Sequence, residues 1–547
     1  MTRASLPPTL PRRFLLTGGH VYSPVDPFAT AMMVIDGEIA WIGSDAGALV
    51  HQDSVETVID LRDCLMTPAF VDAHVHATAT GLGIIGLDLS QATSCRQLLN
   101  DLRDYCANLD RSAVVWGHGW DDSRWPDDPP TRMQIDEASG GRIAYLSRID
   151  VHSGLVSSEL LHRCSGIEGV RGFDAVGPLR MDAHLKARTY AFDALHPTQR
   201  RNAQIAALRE AAAHGIASVH EMAGPGISSA EDLQSLIALD SDPTQPEVVG
   251  YWGALQAIDE ARALGAIGCA GDLFVDGSIG SHTACLRMPY ADDSTTSGVS
   301  YLTADQVAAH VVECTQAGLQ AGFHVIGDAA MDIVCGGIVE AGSIIGAATL
   351  RRAGHRLEHT EMMDEAHLRL LAEFNITASM QPAFDAAWGG DEGMYAKRLG
   401  PERASHLNPF AAAVTAGVPL AFGSDSPVTP LRPWEAVRAA AFHRTPEHRI
   451  STRAAFLAHT RGGRRAARHD AIEPGVLREG APATFVVWQA GDLVVSAPDD
   501  RIASWSTDPR SGTPGLPDLH GDSPAPLCLL NVRSGTVIHH DDGVSGG

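Results

Sequence analysis

From about residue 13 to 65 the apolar positions come in short runs, Phe14–Tyr22, Ala31–Gly43 and Val55–Leu61, separated by Gly or Asp-Gly turns. Runs of this kind predict β-strands, and Asp36-Gly37 between two of them predicts a hairpin. From Pro68 onward the pattern changes. Strand-like apolar runs now alternate with helical stretches, among them Cys95–Leu109, Gln199–His214, Ala304–Ala317, Met363–Phe374 and Pro433–Phe442, several ended by glycine. Strand followed by helix, repeated, predicts a parallel sheet with helices outside it. About ten runs qualify as strands, and the number falls to the eight of a TIM-like (β/α)8 barrel if Ala113–Gly117 and Ile143–Ser147 belong to an excursion after the first strand. That excursion, residues 85–200, is rich in Pro and Gly and reads as an irregular inserted cap. After residue 470 the β pattern returns in Ala483–Trp488 and Leu529–Ile538. Between them Thr507–Pro526, rich in Pro, Gly, Asp and Ser, reads as an exposed loop. The two β-rich ends are expected to meet in one small sheet domain.

Composition narrows the class. A 547-residue chain with 44% apolar and 20% charged residues is a soluble globular protein with room for a large core. The net charge of −25 argues against nucleic acid or an anionic membrane as partner, since either requires a basic face. It is silent on a small-molecule substrate. Nine cysteines without a C-x-x-C pair fit reduced thiols in the cytoplasm. Pro7, Pro8 and Pro11 interrupt the start of the chain before Phe14-Leu15-Leu16, so no secretory leader is expected there. The expected protein is cytoplasmic, acts on a small molecule, has no nucleic-acid or membrane partner, and is compatible with a homo-oligomer.

The chemistry centres on His74-Val75-His76, at the end of the apolar run Met66–Val71. Residues two apart on a strand point to the same side, so both imidazoles emerge together, as half of a zinc-type site. Alone, this spacing is weak, because surface histidines fall into it by chance. Three further residues change the balance: His324 in Gly322–Asp328, His359 closing His355–His359, and Asp425 in Phe422–Asp425. Each follows a strand-like run. Placed on barrel strands 1, 5, 6 and 8, all five lie at the C-terminal rim, where barrels carry their reactive groups. Imidazoles and a carboxylate can hold a divalent metal, most naturally Zn²⁺, and leave a place for water. Asp425 can both bind the metal and move a proton. The competing reading makes His324 and His359 hydrogen-bonded core histidines and Asp425 a turn residue. Taken together, in strand order, the metal reading is stronger.

Thr67–His76 resembles the first-strand signature of the amidohydrolase superfamily. The likeness extends through Trp116–Asp121, Arg148–His152, Gly215–His220, Phe274–Ser281, His324–Asp328, His355–His359, Gln381-Pro382 and Phe422–Val428. It points to the N-substituted formamide deformylase-like (amidohydrolase 3) branch. The resemblance implies a TIM-like barrel over residues 67–469, with an insertion after strand 1. It also implies a small β-sandwich built from residues 1–66 and 470–547. It makes His74, His76, His324, His359 and Asp425 metal ligands or near-ligands, with Asp425 also the base and His359 beside the chemistry. The implied reaction is hydrolysis of a C–N bond in an amide, formamide or cyclic amide. A deaminase of an aminated ring, or a non-catalytic scaffold on the same fold, are the alternatives.

Departures from the resemblance carry their own expectations. Relatives often place a carboxylated Lys on strand 4 to bridge two metals; here Asp272 stands there. Its shorter side chain favours one metal per chain over two, with Asp272, like His220, orienting a ligand from behind. His282 and Phe384 replace an Arg and a His common in relatives, so the substrate is expected to differ. Trp120, Arg148, Asp150 and His152 read as a substrate wall with a cation, against an alternative in which the tryptophan packs the insertion and Arg148–Asp150 is a structural ion pair.

Overall fold

The computed structural model describes residues 6–150, 152–471, 474–496, 505–506, 514–521 and 523–542. The chain forms two compact units, Met1–His76 with Leu208–Gly547, and Ala77–Ala207.

The first unit contains an eight-stranded parallel sheet. In chain order its strands are β1 (Phe70–Val75), β2 (Ile216–Ala223), β3 (Glu247–Trp252), β4 (Gly268–Cys269), β5 (Gln320–Val325), β6 (Arg356–His359), β7 (Thr377–Met380) and β8 (Leu420–Phe422). Neighbours in sequence are neighbours in the sheet. The sheet closes on itself where Asp425 N–H donates to His74 C=O at 2.8 Å and His76 N–H to Ser426 C=O at 2.9 Å. This is a TIM-like (β/α)8 barrel. Its strands are buried on both faces, as parallel strands covered by helices must be. Local signals delimit the helices: Ala304–Ala317 starts in a Thr303–Gln306 capping box and stops at left-handed Gly318, and Glu365–Phe374 runs from Asp364 to left-handed Asn375.

The terminal segments share a sheet. Strands His20–Val21, Leu65–Pro68, Phe485–Gln489, Leu527–Arg533 and Thr536–His540 lie side by side in that order. A four-stranded sheet from residues 13–60 includes the hairpin turned at Asp36-Gly37. Phe14, Leu16, Met32, Val34, Met66, Phe485, Val487, Leu530 and Val532 fill one core contributed by both sheets. The apolar run ending in His74-Val75-His76 therefore serves two sheets: Leu65–Pro68 pairs with Phe485–Gln489, whereas Phe70–Val75 belongs to the barrel. Pro68, which has no N–H to donate, stands at the changeover. Part of the expected loop at Thr507–Pro526 lies outside the described residues. Within the described part, Leu516, Pro517 and Leu519 are buried, with Leu516–Pro517 paired to Leu493–Val494, so that stretch is not an exposed loop.

Residues 77–207 are more regular than their composition led us to expect. Five strands, Leu87–Asp88, Val115–Trp120, Ala144–Arg148, Ser153–Val156 and Leu179–Arg180, form a mixed sheet. Val115–Trp120 and Ala144–Arg148 run parallel, joined through helix Arg132–Ser139 in a right-sized βαβ unit. Buried apolar side chains such as Val115, Ala144 and Leu146 outweigh the Pro and Gly content. Among the described residues no single helix is long and apolar enough to cross a membrane.

Candidate metal centre

At the C-terminal ends of β1, β4, β5, β6 and β8 the strands bring six side chains together. His74 lies on β1 and His76 just beyond it; Asp272 follows β4, His324 is on β5, His359 ends β6, and Asp425 follows β8. His359 and Asp425 have left-handed backbone conformations, φ 69° and 55°. Non-glycine residues rarely adopt them, and such turns cluster where a side chain must be aimed. Gly423 permits the approach of β8 to β1: a Cβ there would stand 2.5 Å from the His74 backbone nitrogen. Asp72 ties the same ends together, its Oδ1 accepting from the His74 and Ser424 backbone N–H groups at 3.2 and 2.9 Å.

The imidazole and carboxylate atoms face one another. His76 Nε2 is 3.1 Å from Asp425 Oδ1 and 3.3 Å from Asp272 Oδ2. His74 Nε2 is 3.4 Å from Asp425 Oδ1 and 3.6 Å from Asp272 Oδ1. His359 Nε2 lies 3.7 Å and His324 Nδ1 3.4 Å from Asp272 Oδ1. Two sets of donors are compact enough to share a cation, His74–His76–Asp425 and His74–Asp272–His359. Two donors each about 2.0–2.1 Å from a tetrahedral zinc lie about 3.3–3.4 Å apart, so these separations are of coordination size. His74 Nε2 and Asp425 Oδ1 are also buried without a hydrogen-bond partner, a costly state for groups that nothing else satisfies. The donor set fits a divalent metal.

Electrostatics point the same way. Burial would push the imidazoles toward their neutral form, yet Asp425 and Asp272 hold His74 well above its ordinary value. Burial is likewise overcome at His76, where the facing Asp272 and Asp425 carboxylates raise it to about 10. Asp272 and Asp425 are in turn held low against burial, by His74 foremost. A buried pair of carboxylates thus keeps positive charge around itself, carried by protons or by a metal that displaces them.

Behind these groups stand residues that sequence reasoning passed over. Glu358 Oε2 accepts from His74 Nδ1 at 3.0 Å, leaving Nε2 to face the centre. Gln381 Oε1 accepts from His359 Nδ1 at 2.8 Å, with the same effect. Arg356 grips Glu358 through Nε and Nη2 at 2.6 and 3.0 Å. The available signal was a run of charged and polar residues, His355–His359, with Leu357 as its single apolar member, at a place in the chain where a buried barrel strand is expected. A charge there requires a buried partner.

The geometry exchanges two expected places. Asp272, expected to orient a ligand from behind, presents both carboxylate oxygens to the donor cluster, because the backbone turns at Gly271 (φ 89°) and carries it inward. His324, expected as a ligand, meets the cluster through Asp272 and through its ring, 4.4 Å from that of His359 between centres, and belongs to neither compact donor set. His220 lies below, its Nδ1 3.1 Å from Arg356 Nη1. Trp120, Arg148, Asp150 and His152 belong to the other unit. There Trp120 is buried and donates to Leu146 C=O at 2.9 Å. Arg148 packs over its ring and pairs with Asp121, Asp122 and Asp150 at 2.7–3.0 Å. The His152 backbone N–H donates to Asp150 at 3.1 Å. Arg148 is thus already engaged by three carboxylates, as in the ion-pair alternative, and is no free cation.

A model of the amidohydrolase family matches residues 57–533. The chain belongs to the amidohydrolase family. It is 26% identical over 519 residues to Protein LONG AFTER FAR-RED 3 of Arabidopsis thaliana, covering 86% of each chain. It is 21% identical over 458 residues to the N-substituted formamide deformylase of Arthrobacter pascens, covering 76% of this chain and 81% of that one. In fold it is similar to an uncharacterized metal-dependent hydrolase from Pyrococcus furiosus, with TM-score 0.74 and 24% identity over 87% of this chain and 98% of that one. This amidohydrolase is therefore a hydrolase whose barrel rim carries a cluster suited to a divalent metal.

Proposed function

We propose that the protein hydrolyses a C–N bond, in an amide, formamide or cyclic amide, of a small molecule, with zinc as the metal. The observation that carries this reading is Asp425 Oδ1, buried, without a hydrogen-bond partner, and within 3.1 and 3.4 Å of two strand-end imidazoles. His74, His76, Asp272, His359 and Asp425 would hold the cation between them. When bound, the metal polarises a carbonyl and makes water a ready nucleophile near neutral pH. Asp425 accepts the proton from the attacking water and returns it to the departing nitrogen. His359, fixed by Gln381, keeps its Nε2 toward the same space. The likeness to a relative named N-substituted formamide deformylase supports the choice of C–N bond. We further place the protein in the cytoplasm, since all nine cysteines are free thiols. A large negative charge favours a small molecule over nucleic acid or membrane as its partner.

The test is a panel of N-formyl amines, simple amides, cyclic amides and aminated rings, offered to zinc-loaded protein, with formate, amine and ammonia measured separately. Formate or amine release supports the proposal; ammonia from an aminated ring would replace it with deamination. Asp425→Asn should lower turnover by at least about 100-fold, the scale of a lost general base. Near-parental turnover in that variant would move the proton transfer to another group. Absence of bound metal, with no activity on adding any, would remove the hydrolytic reading.

A further inference from the structure

Beneath the metal centre the barrel interior holds a charged residue with no catalytic reach. Arg356, at the start of β6, is completely buried. Its Nε and Nη2 engage Glu358 Oε1 and Oε2 at 2.6 and 3.0 Å. Nη2 also lies 2.6 Å from Ala73 C=O and 2.9 Å from Ser379 Oγ. Nη1 is 3.1 Å from His220 Nδ1, and the guanidinium packs 4.7 Å from the centre of the Tyr251 ring. One side chain thereby joins β1, β2, β3, β6 and β7.

We propose that Arg356 is a positioning residue for the metal centre, acting on His74 through Glu358. Glu358 Oε2 is shared: it accepts from Arg356 on one side and from His74 Nδ1, at 3.0 Å, on the other. The two-point grip of a guanidinium fixes the plane of a carboxylate, which a lysine ammonium, a point charge, does not do. With the carboxylate plane fixed, the hydrogen on His74 Nδ1 has one direction to point. The ring is then set with Nε2 toward Asp425 and Asp272. Arg356 holds the backbone as well, because Ala73, whose carbonyl it contacts, immediately precedes His74. A guanidinium that served only to fill the barrel would need none of this alignment with the ligand.

The inference rests on the proposed metal centre, and its test separates the two. Zinc affinity is measured by chelator competition on the full chain, in the parent, Arg356→Lys, Glu358→Gln and the double variant. Arg356→Lys keeps the charge but loses the fork, and should bind zinc about 10- to 100-fold more weakly, the range for residues that orient a ligand. Glu358→Gln should fall similarly. The double variant should be no more than about 3-fold weaker than Glu358→Gln alone, because one residue works through the other. Parental affinity in Arg356→Lys, or losses that multiply in the double variant, would overturn the proposal. Should Arg356→Lys not fold, parental affinity in Glu358→Gln overturns it equally, since Glu358 is the side chain that links Arg356 to the His74 ring. A parent chain that binds no zinc would instead sink the metal centre itself.

Discussion

Asp272 shows at the scale of one residue what side-chain length can and cannot predict. A short carboxylate in place of a long lysine looks unable to reach the middle of the site. The backbone supplies the missing reach, because left-handed Gly271 turns the chain inward and both oxygens arrive among the imidazoles. If Asp272 contacts the metal, Asp272→Asn should cost more than the roughly 10- to 100-fold loss of an orienting residue, and zinc should be lost on desalting. Elemental analysis of the desalted variant checks this; retained zinc with slightly weakened affinity would return Asp272 to a supporting place. His74, His76, His359 and Asp425 stood out in the sequence by following strand-like runs in barrel order, and the fold brings them within a few ångströms of one another. Glu358, Arg356, Gln381 and Asp72 did not stand out. Their meaning lies in partners up to several hundred positions away, such as His74 and Glu358, 284 residues apart.

Elements follow the apolar period closely, since burying one face is a local property of the pattern. Helix Ala304–Ala317 has the limits its capping residues announce, and the Asp36-Gly37 hairpin forms where its turn chemistry requires. The exception is the sheet of residues 77–207, where Val115–Trp120 and Ala144–Arg148 overlap the expected runs Ala113–Gly117 and Ile143–Ser147 but the shorter strands beside them had no such signal. Just before β6, His355 offers a test at this scale. Its Nδ1 accepts from Ala321 N–H at 2.9 Å, and Nε2 meets Thr315 Oγ1 at 2.9 Å. Burial, reinforced by Arg468, pushes its pKa down to about 3. In the unfolded chain the ring takes up a proton below about pH 6.5, while the folded one stays neutral. Protons therefore favour unfolding, and the stability due to this ring declines as pH falls from about 6.5 toward 3. His355→Gln should be destabilised most above pH 6.5. Its deficit relative to the parent should shrink by about 1.4 kcal/mol per pH unit below that. Urea midpoints at pH 7, 6 and 5 measure the trend; a constant deficit would show that His355 titrates normally.

For the whole molecule, the decisive joint is the pairing of Leu65–Pro68 with Phe485–Gln489. Phe485, Val486, Val487 and Trp488 are buried there, and Trp488 Nε1 donates to Thr67 Oγ1 at 2.8 Å. Each such apolar side chain contributes about 1.5–3 kcal/mol, against a total stability of about 5–15 kcal/mol. A chain ending at residue 470 should therefore aggregate, through the exposed edge and core of the N-terminal sheets. Light scattering on that truncation checks it; a soluble, active product would show that the barrel stands without its C-terminal strands.

The sequence by itself determined what is local: the alternation that makes strands and helices, the turns that join them, and the residue types able to hold a metal. Periodicity and side-chain chemistry are properties of neighbouring residues, so they can be read without knowing where the chain goes. Tertiary structure alone decided which carboxylate faces the imidazoles, that Arg148 is already paired, and that Arg356 and Glu358 stand behind His74. Those outcomes depend on closing the barrel and on backbone turns such as Gly271 and Asp425, which bring distant residues within a few ångströms. At that range burial and charge, not sequence position, set what each group does.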